Sequence, residues 1–253
     1  MGILLLKSLL YGVLEGVTEW LPVSSTGHLI LLESFLTPDV GTDVHPQFSG
    51  EFRELFLVVI QLGAVLAVVT LYFRRLFPPG NARQAQKAAL GLYGRVAVGC
   101  IPAGIAGVLL DGVIERLTGR DVDGWLYRSP VVAAMLILYG ALFILAELLQ
   151  KGKQPIYTET ERIPYATALL VGVFQMLSLV PGTSRSGATI LGGMLLGLSR
   201  TAAAELSFFM AVPVMLGASA SRCWALPDLW RKTALPCRVM PPCFCWWRVR
   251  WRI

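Results

Sequence analysis

Four stretches of this 253-residue chain, 55–72, 96–110, 130–146 and 202–219, are almost free of charge, with Glu205 their only acidic or basic residue. A helix that crosses the hydrocarbon core of a bilayer needs about 17–25 mostly apolar residues. No water is present there to satisfy an open backbone, so such runs are expected to be helical. Composition agrees: 55% of the residues are hydrophobic and 15% are charged, against about 25% charged in an ordinary soluble domain. The expectation is an all-α polytopic membrane protein rather than a soluble helical domain. The N-terminal segment carries Lys7 in an apolar run, but Glu15 and Glu19 interrupt that run and no small-residue cleavage site follows. It therefore reads as part of the membrane domain and not as a signal peptide.

One segment is out of place in so apolar a chain. Residues 181–189 read "PGTSRSGAT", between "YATALLVGVFQMLSLV" and "ILGGMLLGL". A counterpart lies near the N-terminus. "YGVLEGVTEWLPVSSTGHLIL" (11–31) aligns with "VGVFQMLSLVPGTSRSGATIL" (171–191) at an offset of 160. Gly12, Val13, Ser24, Gly27, Ile30 and Leu31 recur as Gly172, Val173, Ser184, Gly187, Ile190 and Leu191. Glu15 faces Gln175, Thr18 faces Ser178, Thr26 faces Ser186, and the prolines Pro22 and Pro181 miss by one residue. Downstream, "ELFLVVIQLGAVLA" (54–67) resembles "ELSFFMAVPVMLGA" (205–218).

Each repeat is thus a polar hairpin broken by Pro and Gly, followed by a span led by Glu-Leu. Two spans lie between the repeats. If each hairpin enters and leaves on one side, the repeats are inverted copies, an arrangement that places a polar site near the midplane. Irregular backbone survives at that depth only where protein or a water-filled cavity surrounds it. The expected fold is an inverted-topology repeat with two re-entrant helical hairpins. It forms a single membrane domain, 1–221, with repeat 1 at about 3–75, connecting spans at 92–149 and repeat 2 at about 163–221.

Charge sets orientation and marks the end of the domain. The loop at 74–95 has five basic residues and no acid, which reads as cytoplasmic. The acidic loop 33–54 reads as outside, the loop carrying Lys151, Lys153 and Arg162 as inside, and the mixed loop 111–128 as outside by parity. Residues 1–221 are neutral, whereas 222–253 hold seven basic residues against Asp228, with four of the five cysteines and five of the seven tryptophans. So abrupt a shift points to a tail of different origin without function. A cationic interfacial segment and a Cys-rich metal site are the alternatives, but the spacing of Cys237, Cys243 and Cys245 fits no familiar zinc pattern. Cys100 reads as a small buried residue of a helix.

Chemistry concentrates at the two hairpin tips. Glu15 and Glu19 are four residues apart and share a helix face. An ionised group at bilayer depth costs about 2.5–3.5 kcal/mol on insertion scales, so this pair needs a cation, a shared proton or a basic partner. Pro22 ends the first helix, and Ser24, Ser25 or Thr26 can cap the next. Its N-terminus favours an anion, and His28 falls in its first turn. At the second tip Gly182 and Gly187 allow close backbone approach. Thr183, Ser184, Ser186 and Thr189 supply hydroxyls, and Arg185 is a permanent cation whose planar fork suits phosphate. Two acids, an imidazole, a guanidinium, hydroxyls and two helix N-termini are the parts of a phosphate-ester or diphosphate site. Bland readings stand beside this one: an interfacial acid pair, a structural histidine, and Arg185 as a counter-ion alone.

"EGVTEWLPVSSTGH" (15–28) and "PGTSRSGAT" (181–189) resemble the two signature segments of the bacterial undecaprenyl-diphosphatase family of the bacitracin-resistance type, and the likeness runs over about 3–221. The resemblance implies hydrolysis of undecaprenyl diphosphate to the monophosphate, recycling the lipid carrier of the cell wall. It implies a multi-pass protein of the bacterial cytoplasmic membrane with its site open to the outer side. It also implies that Glu15, Glu19, Ser25, His28 and Arg185 carry the activity, with a divalent cation, Mg or Ca, at Glu15 and Glu19. Ser24, Thr26, Gly182, Thr183, Ser184, Ser186 and Thr189 would bind substrate. The nucleophile is His28, Ser25 or an activated water. The expected partners are a polyprenyl diphosphate lipid, membrane lipids and a second copy of the chain in a homodimer, with no nucleic acid. The family continues with further apolar helix where this chain has its basic tail. A transporter or lipid flippase is the rival reading, since inverted repeats around a midplane site also serve transport; a scaffold without chemistry leaves the charges at both tips unexplained.

Overall fold

A computed structural model describes residues 2–36, 50–80, 83–118, 129–180 and 182–232. Among these residues the chain is helical, and the only extended pairing is an isolated parallel bridge between Tyr157 and Leu198. The helices are α1 (Gly2–Trp20), α2 (Ser25–Leu36), α3 (Gly50–Leu71), the single turn α4 (Phe73–Leu76), α5 (Arg83–Thr118) and α6 (Ser129–Gln150). They continue with α7 (Tyr165–Gln175), extended by a 3-10 turn at Met176–Leu179, then α8 (Arg185–Leu195) and α9 (Arg200–Lys232). Among the described residues three segments are long and apolar enough to cross a membrane: Arg83–Gly107, Val132–Gln150 and Arg200–Ala220. Val59–Leu71 and Tyr165–Leu179 are shorter apolar helices.

Some loop boundaries differ from the sequence reading. α5 runs to Thr118, so 111–118 is helix rather than loop, and 119–128 lies outside the described residues. The expected outer loop 33–54 is helical at both ends, through Leu36 and from Gly50. α9 continues to Lys232, past the composition change at Arg222, so no helix end marks the expected boundary at 221. Residues 233–253, with Cys237, Cys243 and Cys245, lie outside the described residues.

Polarity is distributed as a bilayer demands. Large apolar side chains face outward, with Leu5 at 75% and Ile137 at 74% exposure, whereas Glu15, Thr18, Ser24, Gln175, Ser184, Ser186, Thr189 and Ser207 are buried. The main apolar core joins the second hairpin to α9 through Ile163, Val171, Ile190, Met194, Leu206 and Met210. Close helix approach requires small residues where backbones cross. At the crossing of α5 and α7, a Cβ on Gly172 would stand 2.0 Å from the Gly99 carbonyl oxygen. A polar clamp ties α4, the 3-10 turn at Thr160–Arg162 and α9 together. Arg75 binds Glu161 at 2.6 Å and Glu205 at 2.7 Å, Thr160 donates to Glu205 at 2.7 Å, and the guanidinium lies 5.6 Å from the Phe209 ring centroid.

Candidate active site

The two hairpins close by the same local device. In the first, the Ser24 hydroxyl accepts from the Gly27 N–H at 3.3 Å and the Ser24 carbonyl from the His28 N–H at 3.2 Å. In the second, the Ser184 hydroxyl accepts from the Gly187 N–H at 3.0 Å and its carbonyl from the Ala188 N–H at 2.8 Å. These are N-caps at positions matched by the sequence repeat, each satisfying a first-turn donor that the helix itself leaves open. Thr18 and Ser178, also matched, turn their hydroxyls back onto the carbonyls of Glu15 and Gln175.

The tips touch. Ser186 donates to the Leu21 carbonyl at 3.2 Å, and a Cβ on Gly187 would stand 3.2 Å from the Pro22 carbonyl oxygen. Gly182 has φ +87° and passes Val132 of α6 so closely that a Cβ would meet its Cα at 2.8 Å. Glycine is therefore required there on two counts, conformation and space. The neighbouring Thr183 is buried, with Tyr139 of α6 beside it.

The central contact joins residues 166 apart. Arg185 Nη2 donates to Glu19 Oε2 at 2.8 Å, with the two side chains 17% and 14% exposed. The other oxygen of Glu19 accepts from the Ser25 hydroxyl at 2.8 Å. Ser25, Glu19 and Arg185 thus form a line of hydroxyl, carboxylate and guanidinium. The His28 Nδ1 lies 2.7 Å from the Ser24 carbonyl. A carbonyl only accepts, so Nδ1 carries the proton, and in the neutral ring Nε2 keeps its lone pair. The imidazole is held by Ser24 rather than by a glutamate.

Glu15 lies deeper. It is fully buried, and both its carboxylate oxygens lack a hydrogen-bond partner, as does the side-chain oxygen of its repeat mate Gln175. An unpaired buried carboxylate is costly, which makes Glu15 the group at this site with unused ligating capacity. Among the described residues no three His, Cys, Asp or Glu side chains cluster as a metal cage. Magnesium is commonly held by one or two carboxylates together with substrate phosphate oxygens, and the orphaned oxygens of Glu15 fit that donor set. Glu19, with each oxygen engaged, is the less available ligand.

The hydroxyls fall into two groups. Ser24 and Ser184 cap helices, Ser186 binds Leu21 and lies 3.1 Å from Ser184, and Thr189 turns inward to α9, so these four build the frame. Ser25 and Thr26 are half-buried on the first turn of α2 beside Glu19. Sequence reasoning missed the partners on α6 and α9: Tyr139, Ser207, and Phe208, whose ring packs on Trp20 with centroids 4.8 Å apart. A hydroxyl inside an apolar span was the available sign for Ser207.

The chain matches the family described as "Bacitracin resistance protein BacA" over residues 8–238. It is 47% identical over 220 residues to an undecaprenyl-diphosphatase of Enterococcus faecalis, covering 85% of this chain and 74% of the relative. A protein of that name from Desulfitobacterium hafniense is 47% identical over 217 residues, covering 85% and 72%. One from Acetivibrio thermocellus is 46% identical over 217 residues, covering 85% and 74%.

Proposed function

The chain belongs to the bacitracin resistance protein BacA family, and from that premise we propose that it hydrolyses undecaprenyl diphosphate to undecaprenyl phosphate and inorganic phosphate in the bacterial inner membrane. The observation that carries the reading is the Ser25–Glu19–Arg185 line, built by two hairpins far apart in sequence. It supplies a nucleophilic hydroxyl, an acceptor for its proton and a cation for the phosphate oxyanions, the minimum set for attack on phosphorus.

In the proposed reaction Ser25 Oγ attacks the terminal phosphorus while its proton passes to Glu19 Oε1. The bond from phosphorus to the bridging oxygen breaks, and undecaprenyl phosphate leaves with that oxygen and its electron pair. Water then attacks the phosphoserine phosphorus, with His28 Nε2 taking its proton; the bond from phosphorus to Ser25 Oγ breaks, Glu19 returns its proton to that oxygen, and inorganic phosphate departs. Arg185 neutralises the oxyanions through its fork. The first-turn N–H groups of α2 and α8, which have no intrahelical partner, add further donors. Bound at Glu15, with Glu19 beside it, a divalent cation would supply positive charge to the phosphoryl oxygens.

The membrane arrangement belongs to the same reading. α1–α2 and α7–α8 are taken as re-entrant hairpins of an inverted repeat, with the site open to the outer leaflet. Matched capping at both tips supports this, as does the length of α8, which has 11 residues, roughly 17 Å at 1.5 Å per residue, against a hydrocarbon core of about 30 Å. Residues 74–95 are not one loop, since α4 ends at Leu76 and α5 begins at Arg83; the basic residues around this α4–α5 connection still support a cytoplasmic placement of that end.

The test is phosphate release from undecaprenyl diphosphate by the detergent-solubilised protein, with and without EDTA. Hydrolysis that EDTA stops and magnesium or calcium restores is expected. A flippase needs a vesicle to show its activity, so transport without any phosphate release would refute the reading. A rapid denaturing quench at neutral or alkaline pH with labelled substrate, followed by acid treatment of the labelled protein, then separates acid-stable phosphoserine at Ser25, acid-labile phosphohistidine at His28 and direct attack by water, which leaves no label.

A further inference from the structure

One turn of α9 makes three contacts to the hairpin tips that the reaction above does not use. Ser207 Oγ lies 2.7 Å from Thr189 Oγ1. Phe208 packs on Trp20, next to Glu19, with ring centroids 4.8 Å apart. The Ala211 carbonyl accepts from Arg185 Nη1 at 3.4 Å. Ser207 and Ala211 are four apart on α9; the Ser207 hydroxyl meets Thr189 of α8, and the Ala211 backbone carbonyl meets the side chain of Arg185 at the start of α8.

The Thr189–Ser207 pair is set in apolar surroundings, with the two residues 1% and 3% exposed and Ile190, Leu206 and Met210 in the adjoining core. Packing alone gives no reason for two hydroxyls there, since small apolar side chains fill such a space without polar groups to satisfy. A buried polar pair is directional, and setting register is its best-attested use. Thr189 Oγ1 also lies 2.9 Å from the Arg185 carbonyl and 3.2 Å from the Ser186 carbonyl. A continuous set of contacts therefore runs from Ser207 through Thr189 to the backbone of Arg185, while Ala211 catches the other end of the same residue.

We propose that Ser207 is a positioning residue for Arg185: it fixes the first turn of α8 against α9 so that the guanidinium faces Glu19 and the bound diphosphate. This rests on the diphosphatase reading of Arg185. Ser207→Ala removes one hydroxyl, yet Thr189 keeps the carbonyls of Arg185 and Ser186 as acceptors, so no buried donor is orphaned. Misplacing a catalytic group by about 1 Å costs on the order of 100-fold in rate. A loosened but still attached Arg185 is expected to lose about tenfold in kcat, with KM changed less than about twofold and melting in detergent within about 3 °C of wild type.

Arg185→Lys supplies the second arm. It removes the fork that Ser207 aims, so adding Ser207→Ala is expected to cause no further loss, the non-additivity of coupled residues. Thr189→Val, which removes the other hydroxyl, should reproduce the kcat effect and serves if Ser207→Ala folds poorly. Wild-type kcat in both single variants overturns the proposal, and so does a full tenfold loss added on top of Arg185→Lys. Loss of activity in step with loss of melting temperature in both variants overturns it as well, since that marks a purely structural pair. Failure of the wild-type protein to release phosphate is a separate outcome and counts against the diphosphatase reading.

Discussion

Replacing Arg185 by alanine separates catalysis from folding. The guanidinium makes a 2.8 Å charged hydrogen bond to Glu19 and a longer one of 3.4 Å to the Ala211 carbonyl. With the pair 17% and 14% exposed, its contribution to stability lies between the ~0.2–1 kcal/mol of an exposed pair and the ~3–5 kcal/mol lost on breaking a buried one. Glu19 keeps the Ser25 hydroxyl as a donor, which places the expected loss nearer the lower figure, about 1–2 kcal/mol. For a chain of this size that lowers melting by roughly 2–8 °C. Loss of one oxyanion donor costs on the order of 10²–10³ in kcat, and Arg185 is charged and bidentate. Phosphate release is therefore expected to fall by about 10³, equivalent to ~4 kcal/mol of transition-state stabilisation. The assay is initial-rate phosphate release in detergent beside a thermal melt of the same sample. A folded Arg185→Ala protein turning over within about threefold of wild type would refute the assigned role. Unfolding of the variant would instead refute the estimate that the pair contributes little to stability.

Glu15→Gln keeps the shape of a buried side chain that has no hydrogen-bond partner but removes its capacity to ionise and to ligate a cation, so melting is expected to hold, while phosphate release drops at least ~100-fold; a marked fall in melting temperature would assign Glu15 a structural role. Ser25→Ala should abolish trapping of labelled phosphate on the protein, and retention of the label at undiminished level would move the nucleophile elsewhere. Gly172→Ala drives a methyl to 2.0 Å from the Gly99 carbonyl and is expected to cost at least ~3 kcal/mol or to block folding, read as loss of monodisperse protein in size-exclusion chromatography. Arg75→Ala breaks contacts to Glu161 and Glu205, all of these side chains between about a fifth and a third exposed; a loss of only ~1 kcal/mol in stability is expected in a thermal melt.

Much of this architecture is legible in the chain itself. Charge-free runs of membrane length admit few structures except helices, because a backbone in lipid must satisfy itself. The repeat was legible because both hairpins solve one local problem, closing a turn and capping a helix, with the same residues: Ser24 and Gly27 in one, Ser184 and Gly187 in the other. Helix ends were less legible. α5 continues to Thr118 and α9 to Lys232, because loss of hydropathy does not by itself end a helix whose backbone bonds continue. The tail beyond Arg222 has a changed composition without a changed backbone as far as Lys232.

Sequence alone determined which groups are available: two acids four apart, an imidazole and hydroxyls at one tip, and a guanidinium among glycines at the other. Only the tertiary structure decided what each one does. It set Glu19 between Ser25 and Arg185, left Glu15 without a partner, turned His28 onto a carbonyl, and spent Ser186 and Thr189 on neighbouring backbone and α9. The physical reason is that capping and hydropathy act over a few residues and are written locally. A hydrogen bond between residues 166 apart depends on how helices pack, and no local pattern encodes that distance.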